Sequence, residues 1–184
     1  MAAVILAAGS GRRFGGPKAG ARLRGRTLLA HVADLARGAG LDPVIAVVRE
    51  PGVVPVGALT VINPEPERGL SSSLQIGVEA VPGRHAALVL LVDQPTMALE
   101  SIATVLNARG AGGARPIIAA EANGRLAPPV LIEPEAFPVV AELKGDTGLR
   151  EVFRRHPTLV HAVPVAAHAP DVDTPGDLAR LEAG

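Results

Sequence analysis

Short apolar runs alternate with amphipathic segments along almost the whole of this 184-residue chain. The runs have the length of buried strands and lie at residues 2–8, 44–48, 59–62, 86–92, 116–120, 129–132 and 159–163. Apolar residues recur at helical spacing around residues 28–36, 70–81, 102–106 and 147–156, and a closing helix is predicted from Thr174. Strands that alternate with helices predict a single α/β domain over residues 1–184, with an open, mostly parallel sheet and helices on both faces.

The composition narrows the chemistry. Three phenylalanines are the only aromatic residues, so the core is Ala, Val, Leu and Ile, which suits a buried parallel sheet. The absence of cysteine excludes disulfides, thiolate zinc sites and cysteine nucleophiles, and it fits a reducing compartment, so we expect a cytoplasmic protein. No apolar run reaches the roughly 20 residues of a membrane span, and no basic segment precedes the first run, so we expect neither a membrane anchor nor a signal peptide.

The charge is balanced overall but uneven along the chain. Net charge is zero, which gives no reason to expect nucleic-acid binding. Residues 1–40 nevertheless hold seven basic groups and a single acid, Asp34. Three of the seven basic groups fall inside a glycine-rich loop, where they require a separate explanation.

That glycine loop, residues 6–18 (LAAGSGRRFGGPK), follows the first predicted strand. Glycines let backbone N–H groups turn toward an anion, and Arg13 and Lys18 add positive charge. A dinucleotide-binding pattern fails because Phe14 stands where a third glycine is needed, and a Walker A pattern fails because Ala19 follows the lysine. The chain has sixteen arginines and two lysines, and a compact ammonium reaches a crowded phosphate oxygen more easily than a planar guanidinium.

Two further segments place polar groups next to predicted strands or helix starts. In the serine segment, residues 63–78, Ser71, Ser72 and Ser73 meet a helix N-terminus. They form either an anion or base-edge site, or an ordinary cap made by Ser71 or Ser72. Asp93 directly follows the longest apolar run, where a carboxylate is costly unless a cation or hydrogen-bond donors meet it. The alternative is that Asp93 caps the Gln94-Pro95 turn.

The closing segment, residues 171–178 (DVDTPGDL), supplies two more carboxylates, Asp171 and Asp173. Thr174, followed by Pro175 and by Asp177 three residues after the cap, predicts a capped helix start. The two aspartates are candidates for a second site carboxylate, or they simply favour the dipole of the closing helix.

Five motifs in order resemble one family of enzymes. LAAGxGxR with Pro-Lys, Asn-Pro with a later Gly and Ser-Leu, Asp-Gln-Pro, GDTGLRE at 145–151 and the closing segment together span Leu6 to Leu178. This order is similar to nucleotidyltransferases, and within them to the molybdenum cofactor cytidylyltransferase branch of the MobA-like NTP transferases. One position departs from that branch, which usually carries Gly-His-Pro before the strand at 129–132, whereas this chain has Pro128 in place of the histidine.

The resemblance implies specific roles. By this resemblance, the catalytic cations are Arg13 and Lys18, which are implied to neutralise charge during attack on the α-phosphorus. Mg²⁺ is the implied cofactor, with Asp93 and Asp173 as ligands and Asp171 as the other candidate. Arg150 is implied to bind the phosphate of the acceptor. The residues implied to hold the nucleotide are Leu6, Ala7, Ala8, Gly9, Gly11, Ser72 and Ser73.

The implied reaction moves CMP from CTP onto a phosphorylated acceptor such as molybdopterin and releases pyrophosphate. Guanylyl-transferring relatives read LAGG where this chain reads LAAG, so Ala8 predicts a preference for CTP. Three alternatives remain open: a guanylyltransferase or other NTP transferase with a different acceptor, a non-catalytic nucleotide-binding domain, and a nicotinamide oxidoreductase. The five histidines are expected to be structural: His31, His85, His156, His161 and His168.

Overall fold

The computed structural model describes residues 1–52, 55–111 and 113–183. Its strands occupy the predicted apolar runs, and a short hairpin follows the glycine loop in addition. The strands are β1 (Ala2–Ala7), β2 (Arg22–Leu23), β3 (Arg26–Thr27), β4 (Val44–Val48), β5 (Leu59–Ile62), β6 (Ala87–Leu91), β7 (Ile117–Ala122), β8 (Arg125–Ile132) and β9 (Val160–Pro164).

The helices match the predicted segments, apart from one short helix, α4, that the periodicity did not predict. They are α1 (Leu28–Gly38), α2 (Leu70–Glu79), α3 (Leu99–Asn107), α4 (Phe137–Ala141), α5 (Leu149–Arg155) and α6 (Pro175–Ala183). Helix α1 begins as a capped helix should, because the Thr27 side chain accepts a hydrogen bond from the Ala30 N–H at 3.1 Å. Among the described residues, no helix has both the length and the apolar character to cross a membrane.

Seven strands form one sheet in the order β5-β4-β1-β6-β8-β7-β9. The predicted parallel sheet is confirmed, with β8 alone running against its two neighbours, β6 and β7. The reversal of β8 has a local cause. Asn123 and Gly124 both have positive φ, +53° and +70°, and they join β7 to β8 as a two-residue turn, which dictates antiparallel pairing.

Helices cover both faces of the sheet, as predicted. Alternate residues of β1 point to opposite faces, so Ile5 packs with α1 and α3 while Val4 packs with α2, α4 and α5. Helix α2 lies close to the sheet because Gly77 has no side chain: a Cβ there would come within 2.4 Å of Val4 Cγ1. Every strand of the seven-stranded sheet except β8 runs in the same direction. The carboxyl ends of these strands therefore meet at one edge of the sheet, where loops converge.

Candidate active site

Three adjacent strands, β4, β1 and β6, end side by side at this edge. The parallel register brings together the residues just beyond their ends: Arg49 after β4, Ala8 after β1 and, two residues beyond β6, Asp93. Neighbouring strands are about 4.8 Å apart, so the ends of β4 and β6 are separated by about 10 Å, with the end of β1 between them. The candidate site is built across this row.

The glycine loop curls over the end of β1. Gly11 has a φ of +60°, and its carbonyl accepts hydrogen bonds from the N–H groups of Phe14, Gly15 and Gly16 at 2.9, 2.9 and 3.2 Å. A Cβ on Gly11 would lie 1.9 Å from the Gly16 carbonyl oxygen, so the turn requires glycine. Among the described residues, the N–H groups of residues 10–13 have no backbone acceptor, which leaves them available to an anion.

Lys18 lies between two carboxylates from distant parts of the chain. Its Nζ donates to Asp173 Oδ1 at 2.7 Å and to Asp93 Oδ2 at 3.2 Å. Arg13 Nη2 lies 2.9 Å from the other oxygen of Asp173. The structure therefore brings together both predicted catalytic cations and both predicted metal ligands in one charge cluster.

The closing segment positions Asp173 through the predicted cap of α6. The Asp177 carboxylate accepts hydrogen bonds from the Thr174 N–H at 2.6 Å and from the Asp173 N–H at 3.0 Å, and the Asp177 N–H donates to Thr174 Oγ1 at 3.2 Å. The Val172 N–H donates to the Asp93 carbonyl at 2.8 Å, which fastens the closing segment to the end of β6. These contacts confirm the predicted capped start of the helix.

Asp171 has a different partner from Asp173. Its Oδ1 accepts a hydrogen bond from Gln94 Nε2 at 2.9 Å, and Gln94 is buried beside Asp93. The contacts of Lys18 and Arg13 go to Asp173 instead. Geometry therefore favours Asp173 over Asp171 as the partner of Asp93.

The cluster shifts the pKa of each of its central groups. Burial raises the pKa of the Asp93 carboxyl above its usual value, although the Lys18 charge opposes the rise. The hydrogen bond from Lys18 lowers the pKa of Asp173, with help from the charges of Lys18 and Arg13. Burial alone would lower the pKa of the Lys18 ammonium, but its hydrogen bonds to Asp173 and Asp93 and their charges outweigh burial and raise it. Lys18 is therefore a fixed cation at neutral pH.

The carboxylates fit the Mg²⁺ ion that the resemblance implies. Asp93 Oδ1 is buried and has no hydrogen-bond partner among the described residues, as expected for an oxygen that awaits a cation. Among the described residues, no group of three or more His, Cys, Asp or Glu side chains could hold a metal ion. Two carboxylates leave room for phosphate oxygens and water, which is the usual environment of Mg²⁺ in nucleotide sites.

The serine segment is arranged differently from the prediction. Helix α2 is capped by Gly69 and not by Ser71 or Ser72. The buried Asn63 amide donates to the hydroxyls of Ser72 and Ser73 at 2.9 and 3.0 Å, and the Ser72 hydroxyl donates to the Gly69 carbonyl at 2.9 Å. Of the two serines predicted to hold the nucleotide, Ser73 lines the adjoining cavity. The Ser72 hydroxyl is instead hydrogen-bonded to Asn63 and Gly69 within the protein.

Gly69 caps the helix because no other residue fits there. Its φ is +91°, and a Cβ would lie 2.6 Å from the backbone of both Gly145 and Asp146. The Ser71 hydroxyl also donates to the Gly145 carbonyl at 2.8 Å. The GDTGLRE motif is therefore packed directly against the start of α2.

Two cavities meet at the charge cluster. The first, of about 720 Å³, is lined by Leu6, Ala7, Ala8, Gly9 and Ser73 from the predicted nucleotide-binding set, together with Lys18 and Arg13. The second, of about 810 Å³, contains the predicted acceptor residue Arg150 and the divergent Pro128. Asp93, Arg13 and Asp146 line both cavities, so a group in one can reach a group in the other across the cluster. Gly11 shapes the loop and does not line either cavity.

Sequence reasoning missed several residues that line these cavities. Arg49 and Glu67 lie in the first cavity, where Arg49 Nη1 donates to Glu67 Oε1 at 2.6 Å. Arg49 directly follows an apolar run, which is the same signal that located Asp93. His168, expected to be structural, lines the second cavity, and its Nε2 lies 2.9 Å from the Arg125 carbonyl oxygen.

Comparison with known proteins agrees with this architecture. A probable molybdenum cofactor guanylyltransferase of Opitutus terrae is 34% identical over 53% of this chain and 50% of its own length. Nicotine blue oxidoreductase of Paenarthrobacter nicotinovorans is 31% identical over 97% of this chain and 94% of its own length. The crystal structure of Rv0371c from Mycobacterium tuberculosis H37Rv has a TM-score of 0.85 and 27% identity, and the match covers 100% of this chain and 97% of that one. The MobA-like NTP transferase domain matches residues 3–160, and the chain therefore belongs to the MobA-like NTP transferase family.

Proposed function

We propose that this protein is a Mg²⁺-dependent cytidylyltransferase, which moves CMP from CTP onto a phosphorylated acceptor and releases pyrophosphate. The observation that carries the proposal is the charge cluster in which Lys18 Nζ lies 2.7 Å from Asp173 and 3.2 Å from Asp93. The cluster lies where the first cavity, beside the glycine loop, meets the second. A cation placed there faces both substrates of a transfer reaction.

In the proposed reaction an oxygen of the acceptor phosphate attacks the α-phosphorus of CTP. The new P–O bond joins acceptor and CMP, while the bond to the β-phosphate breaks and pyrophosphate leaves with its electron pair. Such a reaction needs positioning and charge neutralisation rather than a covalent intermediate. The residues of the cluster supply both.

Each residue has a distinct part. The N–H groups of the glycine loop and Arg13 bind the triphosphate, and Lys18 leaves its carboxylate partners to neutralise charge that develops on it. Asp93 and Asp173 would hold Mg²⁺, which would supply Lewis-acid polarisation of the phosphate. Because Asp173 keeps Arg13 as a partner, at 2.9 Å, it remains oriented after Lys18 moves.

The second cavity is the proposed acceptor site. Arg150 lies at its wall on the exposed side of α5, where its guanidinium can pair with a phosphate in the bidentate manner that arginine favours. Pro128 lines the same cavity, so the departure from the family pattern changes its surface. The first acceptor to test is molybdopterin, followed by a panel of sugar and alcohol phosphates.

The proposed choice of CTP depends on Ala8. Its buried side chain lies at the end of β1 and lines the first cavity. A methyl group there narrows the floor on which the base rests, which a one-ring pyrimidine tolerates better than a two-ring purine. A guanylyltransferase remains the alternative within the same reaction class.

The test is turnover with each of the four NTPs and each acceptor in the presence of Mg²⁺. Released pyrophosphate is measured, and the product is identified by mass spectrometry. We expect one acceptor to give a CMP adduct with stoichiometric pyrophosphate. Adducts formed only with GTP would transfer the assignment to guanylyl transfer, and hydrolysis or binding without any adduct would contradict the transferase proposal.

A second candidate function is favoured by one comparison, the 31% identity to a protein named nicotine blue oxidoreductase. An oxidoreductase that used a nicotinamide would have to bind NADH or NADPH in the first cavity. Support for the transferase comes from the charge cluster, whose cations and carboxylates suit phosphates and a metal ion. Fluorescence titration with NADH and NADPH, in competition with CTP, distinguishes the two: saturable NAD(P)H binding that CTP fails to displace would favour the oxidoreductase.

A further inference from the structure

The junction of the two cavities has an apolar part that the proposed reaction does not use. The residues that line both cavities are three charged residues and three leucines: Arg13, Asp93, Asp146, Leu6, Leu70 and Leu91. Leu6 and Leu91 are register partners near the ends of β1 and β6, and Leu6 is buried. Leu70 differs from Leu6, because 39% of it stays exposed. The junction therefore contains a large apolar side chain with free surface.

Leu70 is held firmly in this place. It is the first residue of α2, and it follows Gly69, whose φ of +91° and close approach to Gly145 fix the start of the helix. Gly148 packs against one side of the leucine, since a Cβ there would lie 2.5 Å from Leu70 Cδ2 and 3.2 Å from its Cγ. The GDTGLRE motif thus covers one side of Leu70, and the surface that remains free belongs to the junction.

The attacking group of the proposed reaction has to cross this junction. Gly9, Ser10 and Arg12 line the first cavity and not the second, so a triphosphate bound by the glycine loop leaves its pyrophosphate on that side. The attacking oxygen enters opposite the leaving pyrophosphate and therefore comes from the second cavity. Water can take the same line. Its oxygen would bond to the α-phosphorus and give up a proton to solvent, and the bond to the β-phosphate would break to leave the nucleoside monophosphate and pyrophosphate.

We propose that Leu70 excludes water from this line, so that transfer to the acceptor outcompetes hydrolysis of the nucleotide. This inference rests on the proposed function, which it deepens by naming the residue that selects the attacking nucleophile. An apolar side chain offers water no hydrogen bond, whereas a smaller or polar one admits it or binds it. Shortening Leu70 to alanine removes three carbon atoms, which makes room for about one water molecule at the junction. Because Leu70 fills this space with or without an acceptor, the effect can be measured on the nucleotide alone.

The experiment measures hydrolysis and binding of the nucleotide and does not need the acceptor. Wild type, Leu70→Ala, Leu70→Ser and Leu70→Met are incubated with CTP or GTP in Mg²⁺, and formation of CMP or GMP is followed. Isothermal titration with the same nucleotides measures binding. The double variant Lys18→Met with Leu70→Ala tests whether the hydrolysis takes place in this site.

The chain offers a matched control in Leu99→Ala. Leu99 is also the first residue of a helix, α3, and it is 42% exposed, which is close to the value for Leu70. It lines neither of the two cavities. A general effect of removing an exposed leucine from a helix start would therefore appear in both variants.

We expect Leu70→Ala to hydrolyse the nucleotide at least ~10-fold faster than wild type, the order expected when water replaces an apolar wall. Its affinity for the nucleotide should change less than about 3-fold. Leu70→Ser should hydrolyse at least as fast as Leu70→Ala, because its hydroxyl binds the water that enters. Leu70→Met, which is similar in volume, and Leu99→Ala should behave as wild type. The double variant should lose the gain, because the same cation serves attack by water.

Other results overturn the inference in distinguishable ways. If Leu70→Ala hydrolyses the nucleotide no faster than wild type, whether or not binding or stability falls, Leu70 merely packs α2 against the GDTGLRE motif. If Leu70→Met is as fast as Leu70→Ala, or if the gain survives in the double variant, exclusion of water by this side chain is wrong. In each of these cases the proposed transfer reaction stands. If wild type binds neither CTP nor GTP, the proposed function itself fails.

Discussion

Replacing Lys18 by methionine is the sharpest test of the charge cluster, because methionine has an apolar stem of similar length and lacks the ammonium with its charge and hydrogen bonds. The change leaves the Asp93 and Asp173 carboxylates facing each other without the ammonium that separates them. We therefore expect three effects: lower stability without metal, tighter metal binding without nucleotide, and greatly reduced turnover.

The size of the stability change follows from the burial of the cluster. The side chains of Lys18, Asp93 and Asp173 are 14%, 24% and 30% exposed, so their two ion pairs are neither fully buried nor at the surface. Breaking a fully buried pair costs about 3–5 kcal/mol and an exposed pair about 0–1 kcal/mol. We expect the free energy of unfolding to fall by about 2 kcal/mol at pH 7 in EDTA, since Asp173 keeps Arg13 as a partner.

The metal and turnover effects have the same cause. In wild type a divalent ion must displace the Lys18 ammonium, so it binds weakly until a nucleotide arrives; in the variant we expect Mn²⁺ to bind at least ~10-fold more tightly in the absence of nucleotide. Turnover should fall at least ~100-fold, the usual effect of removing one preorganised charge from a transition state.

Urea unfolding with and without MgCl₂, Mn²⁺ titration by electron paramagnetic resonance and pyrophosphate release measure the three effects. Lys144→Met is the matched control, because Lys144 is exposed and is the only other lysine. Near-normal turnover in a folded Lys18→Met protein would remove Lys18 from the mechanism. Unchanged Mn²⁺ affinity would refute the idea that Lys18 competes with the metal.

Four further predictions test other parts of the site. Asp93→Asn should nearly abolish pyrophosphate release, as should excess EDTA on wild type, because the amide loses the charge that holds a hard cation; full activity in EDTA would refute the role of the metal. Ala8→Gly should lower the ratio of kcat/KM for CTP over GTP by roughly 5- to 150-fold, since relief of overpacking is worth about 1–3 kcal/mol, and an unchanged ratio would dismiss Ala8. Gly69→Ala should lose about 3 kcal/mol in urea unfolding and most activity, because its Cβ meets backbone at 2.6 Å. Gly40→Ala, which has a similar φ of +75° and open space around it, should lose only about 1 kcal/mol, and equal losses would reject the steric reason. Two arginines of α5 hold the pKa of Glu151 at about 2 in the folded protein against an ordinary 4.5, so the stability advantage of wild type over Glu151→Gln should be complete above pH 4.5 and disappear as the pH falls to about 2. Urea unfolding from pH 6 to pH 2 measures this, and a difference that persists at pH 2 would contradict the assignment.

Most of the fold was predictable from the sequence because its signals are local. Buried strands show as continuous apolar runs, and the cap of α6 is determined by Thr174 and Asp177, three residues apart. The direction of β8 was also encoded locally, in the Asn123-Gly124 turn, although the apolar pattern alone does not reveal it. The short helix α4 was missed because its five residues are too few to show a helical period.

The candidate site could be predicted only in part. Asp93 is predictable because it follows a buried apolar run, and Arg49, which follows another such run, carries the same signal. Ser72 was assigned to the nucleotide because serines at a helix start bind anions. The sequence does not reveal that the Ser72 hydroxyl accepts a hydrogen bond from Asn63, which lies in the loop before the helix.

The sequence by itself determined the fold class, because apolar runs, caps and turns depend on residues close together in the chain, and its ordered motifs indicated the family and most of the charged groups of the site. Tertiary structure alone decided which groups meet. Lys18 contacts Asp93 across 75 positions and Asp173 across 155, and Asp171, two residues from Asp173, pairs with Gln94 instead. Such contacts depend on how separate loops converge at one edge of the sheet, and no local pattern carries that information.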